Sequence, residues 1–136
     1  MARRLLLDTT ALIEYDRTGV IQGIRQGDKL AVAAISLAEL YRGVVATPQE
    51  HLRDKRLRFY ERLTTDHEIE ILPYTADTAR VHGFLLAFVK STGAPRGAHD
   101  LIIAAHARET GREIFSADSK ARFGNLPGVS LASLTL

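Results

Sequence analysis

Short apolar runs alternate with segments of helical periodicity along the amino-acid sequence. Four runs have the length and composition of buried strands, at residues 4–7, 30–35, 68–72 and 113–116. A shorter fifth strand is predicted at residues 129–131. Each of the first four runs stops at or just before an aspartate, a serine or a proline, as a strand that ends in a loop would.

Helix signals fill the intervals between these runs. Thr47 is a predicted N-cap with a capping-box glutamate at Glu50, and Thr75 is placed to cap the next helix. Residues 100–110 form a third helical pattern, closed by Gly111 in the C′ position. The strand and helix alternation predicts a three-layer α/β/α fold with a mainly parallel sheet. In such sheets, functional sites gather beyond the carboxyl ends of the strands.

Composition narrows the classes of protein to which this chain can belong. A chain of 136 residues with 46% hydrophobic and 25% charged residues predicts a single globular domain over residues 1–136. Absence of cysteine excludes disulfide scaffolds, cysteine-ligated metals and thiol catalysis, and suits the cytoplasm. No apolar run reaches the length of a membrane span or of a signal peptide. A net charge of +2 does not by itself indicate a polyanionic partner.

Four acidic residues follow strands or open helices. Asp8 follows the first predicted strand, Glu39 lies shortly after the second, Asp100 opens a helix, and Asp118 follows the fourth strand. Carboxylates gathered at one sheet edge repel each other unless cations neutralise them. Oxygen ligands without cysteine suit Mg²⁺ or Mn²⁺, and two such ions are the basis of phosphodiester hydrolysis in many nucleases.

Each acid also has a structural interpretation. Asp8 fits an N-cap, and Glu39 fits the capping box that begins at Ser36. Asp100 fits a first-turn acid favoured by the helix dipole, and Asp118 fits the start of a turn. The joint pattern favours a site, because residues 101–105 are all apolar and predict a buried helix whose N-terminus points into the protein.

Five motifs in order resemble a known family. They are L-L-D-T-T at residues 6–10, S-L-A-E-L-Y-R-G at 36–43, H-D-L-I-I-A-A-H-A at 99–107, F-S-A-D at 115–118 and F-G-N-L-P-G-V at 123–129. The set resembles the PIN-domain ribonucleases, specifically the VapC toxins of prokaryotic toxin-antitoxin pairs. The resemblance implies a Mg²⁺- or Mn²⁺-dependent endoribonuclease toxin, whose metal-binding and catalytic acids are Asp8, Glu39, Asp100 and Asp118. Thr9 and Ser116 are the hydroxyls expected to support them.

The resemblance further implies an RNA substrate, a homodimer and a cognate VapB-type antitoxin that blocks the acidic pocket. Lys120 and Arg122 follow Asp118 closely and are candidate phosphate contacts. A basic cluster in the helix after Thr47 fits either a solvated face or an RNA track. His99 and His106 lack the usual zinc spacing, which favours packing or hydrogen-bonding roles.

Two other classes of function stay open. A non-catalytic RNA- or protein-binding domain would keep the fold without the chemistry. A Mg²⁺-dependent receiver or small phosphatase would also use strand-end aspartates, but Asp8-Thr9-Thr10 lacks the second aspartate that phosphatases carry and the acid pair of receivers.

Overall fold

A computed structural model describes residues 2–93, 96–117 and 123–132. Within those residues the strands are β1 (Arg4–Leu7), β2 (Lys29–Ala33), β3 (Ile69–Leu72) and β4 (Glu113–Phe115). The helices are α1 (Thr9–Thr18), α2 (Ala34–Ala46), α3 (Glu50–Thr65), α4 (Ala76–Thr92) and α5 (Ala98–Thr110). In this part of the chain, no helix combines the length and apolar character needed to cross a membrane.

The four strands form one parallel sheet in the order β3-β2-β1-β4. Leu6 pairs with Ala31 of β2 on one side and with Ile114 of β4 on the other, so β1 is central. The predicted fifth strand is wrong, since Leu131 makes only an isolated parallel bridge to Ile114. Two backbone hydrogen bonds from this segment still cover the outer edge of β4.

Side chains on the two faces of the sheet fill separate cores. Leu6 and Ile114 point to the face covered by α4 and α5, where Leu85 and Ile103 are fully buried. Alternate strand residues point to the other face and pack against α1, α2 and α3, through residues that include Leu5, Leu7, Leu12, Val32, Leu37, Phe59, Leu63 and Phe115. This period-two alternation gives the three layers, and the predicted α/β/α fold is confirmed.

Helix α5 is the buried helix that its apolar sequence predicts. Leu101 and every residue from 103 to 107 are buried. Gly111 ends the helix in the left-handed conformation with a φ of 70°, as predicted. The predicted cap of α4 is also confirmed, because Thr75 and Thr78 form a reciprocal capping box.

Two predicted helix starts are wrong. Strand β2 ends at Ala33 and α2 begins at the next residue, so Ser36 is a buried residue inside the helix and not its N-cap. Thr47 ends α2 instead of starting α3, and its hydroxyl donates to the carbonyl of Gly43 at 2.5 Å. In both places a hydroxyl residue typical of a helix N-cap lies within or at the end of the preceding helix.

Candidate active site

A small pocket lies where the carboxyl ends of β1 and β4 meet the N-termini of α1 and α5. Its volume is about 170 Å³. It is lined by Asp8, Thr9, Thr10, Glu39, Asp100, Ser116 and Phe123. Three of the four predicted acids and both predicted supporting hydroxyls therefore line one pocket. Asp118, Lys120 and Arg122 lie outside the described residues.

Asp8 joins β1 to α1. Its backbone N–H donates to the carbonyl of Phe115 at 3.0 Å, which carries the β1-β4 pairing one residue beyond the strand. Its side chain is 4% exposed, and Oδ1 accepts from the backbone N–H of Ala11 at 2.9 Å and from the hydroxyl of Thr10 at 2.7 Å. Asp8 is thus the N-cap of α1 and also a wall of the pocket, so its two interpretations are compatible.

Thr10 ties the end of β4 to the start of α1. Its hydroxyl accepts from the backbone N–H of Ala117 at 3.1 Å and lies 3.1 Å from the hydroxyl of Ser116. Because the single Thr10 proton is donated to the acceptor-only carboxylate of Asp8, Ser116 is the donor in the contact between the hydroxyls. The Ser116 side chain is thereby oriented at the pocket wall.

Glu39 lies in the second turn of α2 and reaches the pocket from a third direction. Its Oε1 accepts from the hydroxyl of Thr9 at 3.0 Å, and its Oε2 lies 3.2 Å from Nδ1 of His99. The capping-box interpretation of Glu39 is wrong, because Ser36 is inside α2 and Ala33 is the N-cap. The carboxylate is directed toward the N-termini of α1 and α5 instead.

Asp100 occupies the first turn of α5. Its carboxylate folds back over the N-cap residue Gly97, where a Cβ atom would lie 3.1 Å from Oδ2 of Asp100. Absence of a side chain at Gly97 therefore leaves room for this acid. Because α5 is buried along most of its length, the position of Asp100 is fixed by the core.

Three residues at or beside the pocket were not predicted to belong to it: Thr10, Gly97 and Phe123. His99 was predicted to have a packing or hydrogen-bonding role, and its ring does contact an acid of the pocket. The sequence signal available for His99 was its position directly before Asp100. Gly97 carried a signal too, since it stands in the break immediately before α5.

The oxygen atoms that line the pocket are of the type that binds divalent cations, but within the described part of the chain their positions do not form a complete metal site. Carboxylate and hydroxyl oxygens are the ligands of Mg²⁺ and Mn²⁺. Among the residues that the structure describes, however, no three His, Asp or Glu side chains form a group that could hold a metal ion. Protein donors already contact one oxygen of each of two acids, Oδ1 of Asp8 and Oε1 of Glu39.

Residues outside the pocket divide between core and surface. Of the apolar residues near the N-terminus, Leu12 is fully buried, Tyr15 and Ile24 pack partly against the core, and Ile13 and Val20 are more than half exposed. On α3, Arg56 donates to the hydroxyl of Thr47 at 2.5 Å, which makes it part of the α2-α3 contact. The other basic residues of α3 include Lys55, Arg58 and Arg62, which line a separate open pocket.

The parallel sheet with acids and hydroxyls at its carboxyl end is the arrangement of a PIN domain. Residues 5–127 match the PIN domain family, and the chain belongs to this family. PIN domains of the VapC type are in general nucleases, and PIN nucleases in general depend on divalent metals. The predicted family is therefore confirmed.

Solved structures similar to this chain include several VapBC proteins. The DNA-bound VapBC from Salmonella typhimurium has a TM-score of 0.80 at 23% identity, covering 99% of this chain and 100% of that chain. VapBC-5 from Mycobacterium tuberculosis, a member of the VapBC family of toxin-antitoxin systems, has a TM-score of 0.72 at 26% identity, covering 94% and 96%. VapBC2 from Rickettsia felis, bound to a DNA fragment from its promoter, has a TM-score of 0.76 at 20% identity, covering 95% and 97%. A search of curated proteins finds no match.

Proposed function

We propose that this protein is the toxin of a type II toxin-antitoxin pair and acts as a Mg²⁺- or Mn²⁺-dependent endoribonuclease. The observation that carries the proposal is the convergence of Asp8, Glu39 and Asp100, from three separate elements, on one pocket of a PIN domain. Carboxylates from separate elements that share one pocket repel each other unless a cation neutralises them, which favours a metal site over an incidental grouping.

Asp8, Glu39, Asp100 and Asp118 would hold the metal. A divalent ion bound by these acids would stabilise negative charge on a scissile phosphate and would favour ionisation of an attacking water. The protein contributes orientation, since Thr10 and Ala11 fix the carboxylate of Asp8 and Thr9 fixes that of Glu39.

Partners follow from the same proposal. Several structural neighbours are VapBC proteins, and this supports a VapB-type antitoxin and a homodimeric toxin. RNA is the proposed substrate, with Lys120 and Arg122 proposed as phosphate contacts. Cleavage of RNA would inhibit growth or translation until the antitoxin covers the pocket.

The competing proposal is a non-catalytic PIN domain that binds RNA or protein. It is favoured by one observation, that the acids of the described residues do not form a metal-holding group. The experiment is cleavage of a mixed RNA substrate with Mg²⁺, with Mn²⁺ and with a chelator. We expect metal-dependent cleavage that is lost in Asp100→Asn and kept in the surface variant Asp54→Asn. Intact RNA under all conditions would establish the competing proposal, and equal activity of Asp100→Asn would remove this acid from the site.

A further inference from the structure

Both oxygens of the Glu39 carboxylate are contacted by residues from other helices. Thr9, at the start of α1, donates its hydroxyl to Oε1 at 3.0 Å. His99, in the first turn of α5, places Nδ1 3.2 Å from Oε2. An attractive contact at this distance requires a proton on Nδ1, because two lone pairs would repel. The Glu39 side chain therefore bridges the N-termini of the two helices that carry Asp8 and Asp100.

We propose that His99 is a positioning residue that fixes the Glu39 carboxylate in its productive orientation beside Asp100. The inference rests on the proposed nuclease function for its effect on activity, but the contact itself involves only side chains of this protein. His99 directly precedes Asp100. The first turn of α5 therefore positions both Asp100 and the side chain that orients Glu39.

A contribution to folding does not account for this contact. The His99 side chain is 49% exposed and that of Glu39 is 23% exposed, and polar pairs at this exposure contribute little to stability. Groups that orient metal-binding side chains, in contrast, change metal affinity or activity by about 10- to 100-fold when they are removed. The free edge of the ring is open to solvent, so a change of side chain at position 99 leaves the core intact.

The experiment compares two variants at position 99 with a control. His99→Ala removes the donor, and His99→Asn restores it, because the amide nitrogen of asparagine reaches the position of Nδ1. His67→Ala is the matched control, an exposed histidine that precedes β3 at the opposite end of the parallel strands. For each protein, Mn²⁺ affinity is measured by calorimetry, and kcat and KM are measured on RNA.

We expect His99→Ala to weaken Mn²⁺ binding and to lower kcat by about ten-fold or more with KM unchanged. His99→Asn recovers most of both quantities, and His67→Ala matches the wild type. A loss that appears in KM alone, a failure of asparagine to rescue, or wild-type behaviour of His99→Ala would each overturn the inference.

A metal-free measurement separates this inference from the proposed function. ¹⁵N spectra of the imidazole identify which ring nitrogen is protonated. We expect the wild type to show the Nδ1–H form of His99 and Glu39→Leu to shift the ring toward the Nε2–H form. If the wild type neither binds Mn²⁺ nor cleaves RNA while the spectra change as expected, the proposed function fails and the positioning contact stands. Spectra that are the same in Glu39→Leu and the wild type would overturn the contact whatever the activity.

Discussion

Thr9 and Glu39 are thirty positions apart, yet the Thr9 hydroxyl donates to the Glu39 carboxylate at 3.0 Å. The contact joins the first residue of α1 to the second turn of α2. Both helices follow adjacent parallel strands, so their N-terminal ends emerge at the same edge of the sheet. Glu39 is directed into the site by this topology, and its charge is not used to cap its own helix.

The first prediction concerns the charge of Glu39. Glu39→Gln keeps one oxygen that accepts from Thr9 and removes the negative charge, so we expect RNA cleavage to fall by orders of magnitude while the urea midpoint hardly changes. Glu61→Gln, an exposed residue of α3, is the control that keeps full activity. Cleavage at the wild-type rate by Glu39→Gln would show that the charge has no part in the reaction.

Asp8 allows capping and charge to be separated in a second prediction. Asparagine at position 8 still accepts from the N–H of Ala11, so Asp8→Asn should retain stability within a few tenths of a kcal/mol and lose activity. Asp8→Ala removes the cap and leaves the Thr10 hydroxyl without this acceptor, at a cost of about 1 to 2 kcal/mol. The check is urea unfolding of both variants. Equal destabilisation of the two would contradict the capping role.

Strand positions and the acids at their ends were predictable from the sequence for a physical reason. A buried parallel strand is a short apolar run, and the residue after it enters the site edge by topology alone. Asp8 follows this rule directly, at the end of β1. Ser116 also follows its strand, although the predicted strand at residues 113–116 included it, and its role was implied by the family resemblance. The prediction of a buried α5 succeeded likewise, because its apolar run at residues 101–105 leaves that part of the helix without a solvated face.

Other features depend on contacts that spacing does not reveal. Ser36 and Glu39 match a capping box, but α2 follows β2 without a connecting loop, so the N-cap position falls on Ala33 and not on Ser36. His99 and Glu39 are sixty residues apart, and only the packing of α2 near α5 brings them together. Sequence motifs therefore located the elements of the site better than the side-chain partners within it.

A third prediction concerns acid sensitivity at the other end of α5. His106 is 1% exposed, its Nε2 has no hydrogen-bond partner among the described residues, and burial lowers its pKa below 6.5. Glu109, with Oε1 3.9 Å from Nδ1, opposes the shift, whereas nearby His82 adds to it, and burial lowers the pKa of His82 as well. The ring of Tyr74 packs edge-on against both histidines.

The direction in which stability changes with pH follows from proton linkage. Below about pH 6.5 these histidines bind protons in the unfolded chain but stay neutral in the folded protein. Stability is therefore lost as the pH falls from 6.5 toward the lowered pKa values. His106→Leu removes one of these groups and should make the decline between pH 7.5 and 5.5 shallower, as measured by urea midpoints. His67→Leu, an exposed control, should keep the wild-type slope. An unchanged slope in His106→Leu would exclude His106 as a source of the acid sensitivity.

The last prediction is that the antitoxin inhibits in part by supplying positive charge to the carboxylate pocket. An arginine or lysine of the partner would neutralise Asp8, Glu39 and Asp100 as a cation does, through charge-assisted hydrogen bonds. The double variant Asp8→Asn/Asp100→Asn should then bind a VapB-type antitoxin more weakly, and Mn²⁺ should compete with the antitoxin for the wild-type protein only. Apolar docking elsewhere keeps part of the affinity. The control Asp54→Asn/Asp77→Asn removes the same charge from exposed helix surfaces. Calorimetry measures the affinity of each protein for the antitoxin with and without Mn²⁺. If both double variants bind the antitoxin equally and Mn²⁺ does not compete, inhibition works by steric covering of the pocket.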